Sequence, residues 1–230
     1  MKRKEKLVEL LLENGIIKFR PDEQDQEEHP KIKSPMYTNF AKIVDHPEIC
    51  SLTNEILTSK IDHEINERGF IFDFIVGISV AGIQIGKMIA EKYDKPFTRI
   101  KSGQTYSGNS GDDNFMHEPH DVRNKKALIV EDLIYANGNM VKEIDLIRRL
   151  EANVVMGSSI LTYNNLDNQG EKAKEKQIPL VHALTIDEVL IICIKKEIIK
   201  PNDFEILTNF FIDPKSWYNR NFPNTAIGSN

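Results

Sequence analysis

The chain has 230 residues, 40% of them hydrophobic and 28% charged, and its formal net charge is −5 at pH 7. This length suits one α/β domain, or such a domain with a small extra lobe. The negative charge disfavours broad nucleic-acid binding, and no apolar run approaches the ~20 residues that a membrane-spanning helix needs. The first residues lack the apolar core of a signal peptide, and Cys50 and Cys193 have neither disulfide-framework nor zinc spacing. We therefore expect a cytoplasmic protein with reduced core cysteines and without a nucleic-acid or membrane partner.

The spacing of apolar residues predicts helices and strands that alternate along the chain. The first half is predicted to contain a helix over 4–14, a strand over 16–19, an edge strand over 36–40, a helix over 47–68, a strand over 72–76, a helix over 83–93 and a strand over 97–100. The second half is predicted to contain strands over 127–130, 153–162 and 178–185, with helices from 140, over 169–177 and from 186.

This alternation predicts an α/β fold, with a mostly parallel sheet flanked by helices on both faces. Ligands of such sheets bind at the carboxyl ends of the strands. We divide the chain into an N-terminal helix and hood segment over 1–45, an α/β core over 46–200 and a C-terminal extension over 201–230. The extension is expected to pack on the core or on a dimer partner.

The clearest candidate for a ligand site runs from Ala127 to Met140. An apolar run predicts a buried strand, Glu131 and Asp132 follow at its carboxyl end, and a turn containing Gly138 leads into an amphipathic helix. The amides of the turn and of the helix start favour a phosphate, and the two carboxylates suit ribose hydroxyls, either directly or through Mg²⁺. Acidic residues are also common where strands end at solvent, so an ordinary sheet edge is the alternative.

This stretch resembles the signature of the type I phosphoribosyltransferases, which bind phosphoribosyl pyrophosphate (PRPP). In that family an apolar strand leads to two acidic residues, two apolar residues and a phosphate loop rich in Thr, Gly and Ser. Glu131 and Asp132 match the acidic pair, and Gly138 matches a loop glycine. The resemblance implies that the loop holds the 5′-phosphate of PRPP, although four of its positions depart from the usual Thr, Thr, Gly and Ser: Tyr135, Ala136, Asn137 and Asn139.

Two further segments resemble parts of the same family. The run from Gly77 to Gly82 is similar to a pyrophosphate loop in which a strained, often cis, peptide turns amides toward the ligand. Close packing of a helix on a strand is the alternative explanation. Lys101 fits the lysine that opens the family's mobile loop, here the irregular segment 102–121. The resemblance implies pyrophosphate contacts from Ser79, Val80, Ala81 and Gly82.

Residues 33–37 resemble the hood segment of one branch of the family, the orotate phosphoribosyltransferases, and residues 181–185 resemble a segment near the end of those enzymes. This branch implies contacts with the base from Lys33 and Tyr37. Tyr163 lies near the position of an arginine that packs on the pyrimidine in that branch, and it could stack on a ring instead. An ordinary surface lysine and a tyrosine without a ligand are the alternatives.

The resemblance extends over roughly residues 7–200, and it implies a type I phosphoribosyltransferase fold with a small N-terminal hood. It also implies a transferase of the orotate type, which moves the phosphoribosyl group of PRPP to a pyrimidine-type base and releases pyrophosphate. The implied catalytic residues are Lys101, Glu131 and Asp132, with Asp132 also holding Mg²⁺, in a homodimer. Two alternatives stay open: a non-catalytic protein that binds PRPP or a nucleotide, and a fold relic that acts through its dimer surface.

Overall fold

The computed structural model describes residues 2–20, 34–100, 122–134, 139–163 and 178–221. The chain forms two compact units, one of Met1–Leu7 with Phe40–Asp187 and the other of Val8–Asn39 with Glu188–Asn230. The sequence suggested divisions at residues 45 and 200, in chain order. The structure instead joins two terminal segments, whose contacts include the Lys196 ammonium 2.8 Å from the Glu9 carboxylate. Grouping of this kind depends on contacts between distant parts of the chain, which spacing along the sequence does not reveal.

The described elements follow the predicted alternation of helices and strands. In chain order they are α1 (Lys2–Glu13), β1 (Ile17–Phe19), β2 (Met36–Thr38), a 3-10 helix (Phe40–Asp45), α2 (Pro47–Arg68), β3 (Phe74–Ile78), α3 (Ser79–Tyr93), β4 (Phe97–Ile100), β5 (Lys126–Ile134), α4 (Asn139–Arg149), β6 (Asn153–Thr162), β7 (Leu180–Thr185), α5 (Ile186–Lys195), α6 (Pro201–Ile212) and α7 (Pro214–Asn221). The helix predicted over 169–177 lies outside the described residues.

The first unit is built on a five-stranded sheet in the order β4-β3-β5-β6-β7. Every pair of neighbouring strands in this sheet is parallel. All five residues of β3 are buried, as expected for an apolar strand with neighbours on both sides. The predicted parallel α/β architecture is therefore confirmed.

Different helices cover the two faces of this sheet. Val76 and Ile78 of β3 share a buried cluster with Ile144 of α4. On the opposite face α3 approaches β3 so closely that a Cβ added to Gly86 would lie 3.5 Å from the Cα of Gly77. Because side chains alternate along a strand, each sheet residue faces either the α3 side or the α4 side.

Two of the element boundaries that differ from the predictions lie beside the acidic pair. β5 continues to Ile134, so the acidic pair lies inside the strand and not after it. The polar residues stay in the strand because they remain paired with β6, where Glu131 lies opposite Ser159. α3 begins at Ser79, directly after β3, whereas the sequence predicted a loop up to Gly82. Apolar density marks the centre of a strand well, but it does not show how far the pairing extends.

The second unit contains an antiparallel pair, β1 with β2, in which Lys18 lies opposite Tyr37. This pair belongs to the segment predicted as the N-terminal hood. The predicted C-terminal extension consists of the helices α6 and α7. Phe210, Trp217 and Tyr218 form a buried cluster there, and the rings of Phe210 and Trp217 meet edge to face with centroids 5.3 Å apart.

No helix among the described residues combines the length and the apolar character needed to cross a membrane. Cys50 and Cys193 are both free and buried, as predicted for core thiols.

The buried cluster between the sheet and α4 gives a test of the fold. Ile144 is completely buried, so Ile144→Ala removes packed methyl groups and leaves a cavity. We expect the free energy of unfolding in urea to fall by about 2–5 kcal/mol. Ile71 is 61% exposed, and the matched variant Ile71→Ala should change stability by no more than about 0.5 kcal/mol. Equal effects of the two substitutions would contradict this packing.

Candidate active site

The carboxyl ends of the parallel strands bring the candidate residues to one edge of the sheet. Ile78, the last residue of β3, pairs with Ile100, the last of β4. Ile134 ends β5 opposite Thr162 of β6, and the N–H of Tyr163 donates to the Ile134 carbonyl at 3.0 Å. This is the edge at which open parallel sheets bind ligands.

Ser79 and Asp132 meet at this edge. β3 and β5 pair as far as Gly77 opposite Val130, and Ser79 begins α3 two residues later. Hydrogen bonding with the Ser79 side chain lowers the pKa of the Asp132 carboxyl group. The Ser79 Oγ accepts a hydrogen bond from the Gly82 N–H at 3.2 Å. Ser79 therefore lies in the first turn of α3, close to the acidic pair of β5.

The backbone at Ser79 has an unusual conformation. Its φ is +62°, in the left-handed region that residues other than glycine rarely occupy. All peptide bonds among the described residues are trans, and four other non-glycine residues also have a positive φ: Asp94, Asn124, Glu151 and Glu197. Strained backbone of this kind is concentrated at functional sites.

Gly82 lets α3 approach β5. A Cβ at this position would lie 2.5 Å from the Val130 carbonyl oxygen and 3.0 Å from the Cα of Glu131, closer than a side chain can come. Close packing of α3 on β5 therefore requires a glycine at this position. The same close contact also places the first turn of α3 against the acidic pair.

The two acidic side chains have different surroundings. Ser79, at the start of α3, lowers the pKa of Asp132. The charge of Glu143 on α4 instead raises the pKa of Glu131. Successive residues of a strand point to opposite faces, and α3 and α4 cover opposite faces of this sheet. The side chains of Glu131 and Asp132 therefore lie on opposite faces of the sheet.

These surroundings change the pKa of each carboxyl group. Glu131 is only 5% exposed, and its buried Oε2 has no hydrogen-bond partner. Burial, together with the charges of Glu143 and Asp132, raises the pKa of Glu131 to about 8. Burial also raises the pKa of Asp132, but hydrogen bonds from the Ser79 hydroxyl and from backbone N–H groups oppose the rise. Without a ligand, Glu131 is therefore mostly protonated at neutral pH.

Sequence reasoning missed Glu143. This residue is 7% exposed on α4, on the same helix face as Met140, Ile144 and Ile147. The signal was present in the sequence, since Glu143 lies three residues after Met140 and four before Ile147, on the apolar stripe of an amphipathic helix. A glutamate on that stripe indicates a buried carboxylate facing the end of β5.

Some predicted site residues lie outside the described part of the chain: Lys33, Lys101, the segment 102–121, and the loop residues Tyr135, Ala136, Asn137 and Gly138. Asn139 is the first residue of α4. Tyr37 is in β2 of the second unit, where the Arg20 guanidinium lies 5.8 Å from its ring centroid. Tyr163 is half-buried and directly follows β6.

Residues 40–196 match the phosphoribosyl transferase domain family, and this match covers well over half of the chain. The chain belongs to this family. Relatives in the family include the orotate phosphoribosyltransferase of Sinorhizobium fredii, which is 26% identical over 94% of this chain and 90% of its own length. The orotate phosphoribosyltransferase of Streptococcus sanguinis is 27% identical over 81% of this chain and 85% of its own length.

Solved structures from the family have the same fold. The UMP synthase of Leishmania donovani superposes with a TM-score of 0.71 and 15% identity over 90% of this chain, which spans 42% of that longer protein. The orotate phosphoribosyltransferase of Aeropyrum pernix gives a TM-score of 0.61 and 15% identity over 84% of this chain and 99% of its own length. The type I phosphoribosyltransferase fold implied by the sequence resemblance is confirmed.

The buried Glu131 predicts a specific pH dependence of stability without ligand. Its pKa rises from the ordinary 4.5 of the unfolded chain to about 8 in the folded protein, so the folded state binds the extra proton between these values. Stability contributed by this group is therefore present at low pH and is lost as pH rises through that window. We expect Glu131→Gln, measured by urea unfolding from pH 5 to 8, to lose less stability with rising pH than the unmodified protein.

The exposed Glu91 on α3 supplies the matched control, since Glu91→Gln should leave the pH dependence unchanged. If Glu131→Gln and the unmodified protein follow parallel curves, the carboxyl group of Glu131 is not held protonated by the fold.

Proposed function

We propose that this protein transfers the phosphoribosyl group of PRPP to a pyrimidine-type base and releases pyrophosphate, as the name of its orotate phosphoribosyltransferase relatives implies for them. Membership of the phosphoribosyl transferase domain family supports this reaction class. The observation that carries the proposal is the acidic pair near the carboxyl end of β5, against which the first turn of α3 packs so closely that a Cβ at Gly82 would lie 3.0 Å from the Cα of Glu131.

We assign the ribose and the pyrophosphate of PRPP to different elements of this edge. Glu131 and Asp132 hold the ribose hydroxyls. The N–H groups in the first turn of a helix have no acceptor within the helix, so those of Ser79, Val80 and Ala81 suit the pyrophosphate. Gly82 contributes chiefly through its missing side chain, since its own N–H donates to Ser79.

The other contacts in the proposal rest on the sequence resemblance. The loop from Tyr135 through Ala136, Asn137 and Gly138 to Asn139 holds the 5′-phosphate. Lys101 opposes the charge that develops on pyrophosphate. The base is contacted by Lys33, Tyr37 and Tyr163.

Mg²⁺ fits the donor set of this edge, with Asp132 as its proposed protein ligand. Mg²⁺ prefers carboxylate oxygens, and it usually takes one or two from the protein and completes its shell with water and substrate phosphates. Glu131 adds a buried oxygen without a hydrogen-bond partner. The described residues contain no group of three or more His, Cys, Asp or Glu side chains arranged to hold a metal. Bound Mg²⁺ supplies charge neutralisation at the phosphate oxygens.

The proposed reaction exchanges one bond at C1′ of the ribose. A nitrogen of the base bonds to C1′ while the bond from C1′ to the pyrophosphate oxygen breaks. The electron pair of the broken bond leaves with pyrophosphate, and the nitrogen loses its proton to solvent. The ribose ring carries positive charge in the transition state, so a fixed carboxylate at Asp132 stabilises it without covalent chemistry. Holding both reactants in place supplies much of the remaining rate.

The proposed assembly is a cytoplasmic homodimer, with the extension over 201–230 packing on the core or on the partner. The sequence resemblance supports the dimer. Light scattering on the purified chain would test the dimer.

Calorimetric titration with PRPP and Mg²⁺ tests the site. We expect saturable binding by the unmodified protein and at least about tenfold weaker binding by Asp132→Asn, because a hydrogen bond to a charged group contributes about 1.5–3 kcal/mol. Asp45 is exposed at the end of the 3-10 helix, so Asp45→Asn is the matched control and should bind normally. Orotate and other bases are then screened for pyrophosphate release.

Each outcome of this screen has a definite meaning. Pyrophosphate release that requires both PRPP and a base supports the transferase. PRPP binding without release by any base would overturn the transferase in favour of a PRPP-binding protein. Failure of the unmodified protein to bind PRPP would overturn both and favour a protein that acts through its dimer surface.

A further inference from the structure

We infer that Ser158 and Thr162 of β6 are positioning residues for PRPP, whose hydroxyl groups hold the backbone of β5 on both sides of the acidic pair. This inference rests on the proposed function and goes beyond it, because β6 carries none of the proposed ribose or pyrophosphate contacts. The two hydroxyls act through the position of the Glu131 and Asp132 carboxyl groups and do not touch the ligand.

The acidic pair lies where β5 depends on β6 for its position. The pairing of β3 with β5 ends at Gly77 opposite Val130. On the other side of β5, the pairing with β6 continues through Glu131 to Ile134. The backbone that carries the two carboxyl groups is therefore positioned chiefly by β6.

Two buried hydroxyl groups of β6 bond to β5 on either side of the acidic pair. The Ser158 Oγ donates to the Ile129 carbonyl at 3.1 Å. The Thr162 Oγ1 donates to the Ile134 carbonyl at 3.3 Å, and that carbonyl also accepts the Tyr163 N–H at 3.0 Å. Ser158 and Thr162 are 0% and 1% exposed, so they act on the strand and not on a bound ligand.

These bonds hold the register of β5 against β6 beside the acidic pair. That register shifts once, between Ala127 and Leu128 near the start of β5. A slip of one residue would move every side chain of a strand to the opposite face of the sheet. Bonds downstream of the shift therefore help to keep Glu131 on the α4 side and Asp132 on the α3 side.

Substitutions that remove a hydroxyl group with little change in size test this role. Ser158→Ala and Thr162→Val each remove one bond to β5, whereas Thr162→Ser keeps the hydroxyl and is the conservative variant. Ser159→Ala is the matched control, because Ser159 is equally buried on the same strand. Its hydroxyl donates to the Leu161 carbonyl of β6 itself at 2.9 Å and lies 2.8 Å from Nδ1 of His182 on β7.

The test compares two ligands by calorimetry in the presence of Mg²⁺: PRPP, which contains the ribose, and inorganic pyrophosphate, which does not. For Ser158→Ala and for Thr162→Val we expect about fivefold weaker binding of PRPP, the scale of one hydrogen bond between uncharged groups. Their binding of pyrophosphate should stay within about twofold of the unmodified protein, because the proposed pyrophosphate amides belong to α3. Thr162→Ser and Ser159→Ala should bind both ligands within about twofold.

Urea unfolding of the same variants separates positioning from stability. Ser158→Ala and Ser159→Ala each lose a buried hydroxyl group, so we expect the unfolding midpoints of both to fall. Only Ser158→Ala should also lose affinity for PRPP, a difference that a role in stability alone would not produce. If Ser158→Ala or Thr162→Val does not fold, the other variant decides.

Three results would overturn the inference. Equal losses for PRPP and pyrophosphate would make the two hydroxyls purely structural. Equal losses of PRPP binding in Ser158→Ala and Ser159→Ala would show that the bond to β5 is not what matters. Normal PRPP binding by both Ser158→Ala and Thr162→Val would remove any role for the hydroxyls, while leaving the proposed function intact. Failure of the unmodified protein to bind PRPP would instead overturn the proposed function together with this inference.

Discussion

The position of two adjacent carboxyl groups inside one β-strand, Glu131 buried and Asp132 half-buried, is the constraint on which the rest of the site depends. Glu131 and Asp132 belong to β5, a strand with paired neighbours on both sides. Alternation along the strand directs one side chain toward the α4 face and the other toward the α3 face. The negative charge of Glu143 therefore acts on Glu131, whereas the Ser79 side chain acts on Asp132. The two helices that cover the sheet thus also set the chemistry at the end of β5.

Without a ligand this arrangement raises the free energy of the folded protein, because a carboxylate removed from water needs hydrogen bonds or a counter-charge. Asp132 receives donors from the Ser79 hydroxyl and from the backbone. Glu131 has a buried oxygen without a partner, and it is held in its protonated form instead. A ligand that supplies hydroxyl groups, a cation or both would satisfy the two carboxyls at once. The proposed substrate, PRPP with Mg²⁺, has this combination of groups.

Much of the fold could be predicted from the sequence, because apolar strand centres and amphipathic helices leave strong periodic signals. The acidic pair was found because it follows an apolar run within a family signature. The missed features depend on geometry between separate elements. The left-handed φ of Ser79 and its bond to Asp132 require α3 to begin directly after β3, against a neighbouring strand. Glu143 had a visible signal, its position on an apolar stripe, but its role depends on the packing of α4 against β5. The joining of the two chain ends in one unit depends on contacts such as Glu9 with Lys196.

The most direct test of the central claim is a crystal structure of the protein with PRPP and Mg²⁺. The account predicts ribose hydroxyls within hydrogen-bond distance of the Asp132 and Glu131 carboxyl groups, with the pyrophosphate at the first-turn amides of α3. PRPP bound away from the end of β5, or bound there without contact to either carboxyl group, would contradict the claim that the acidic pair is the substrate site.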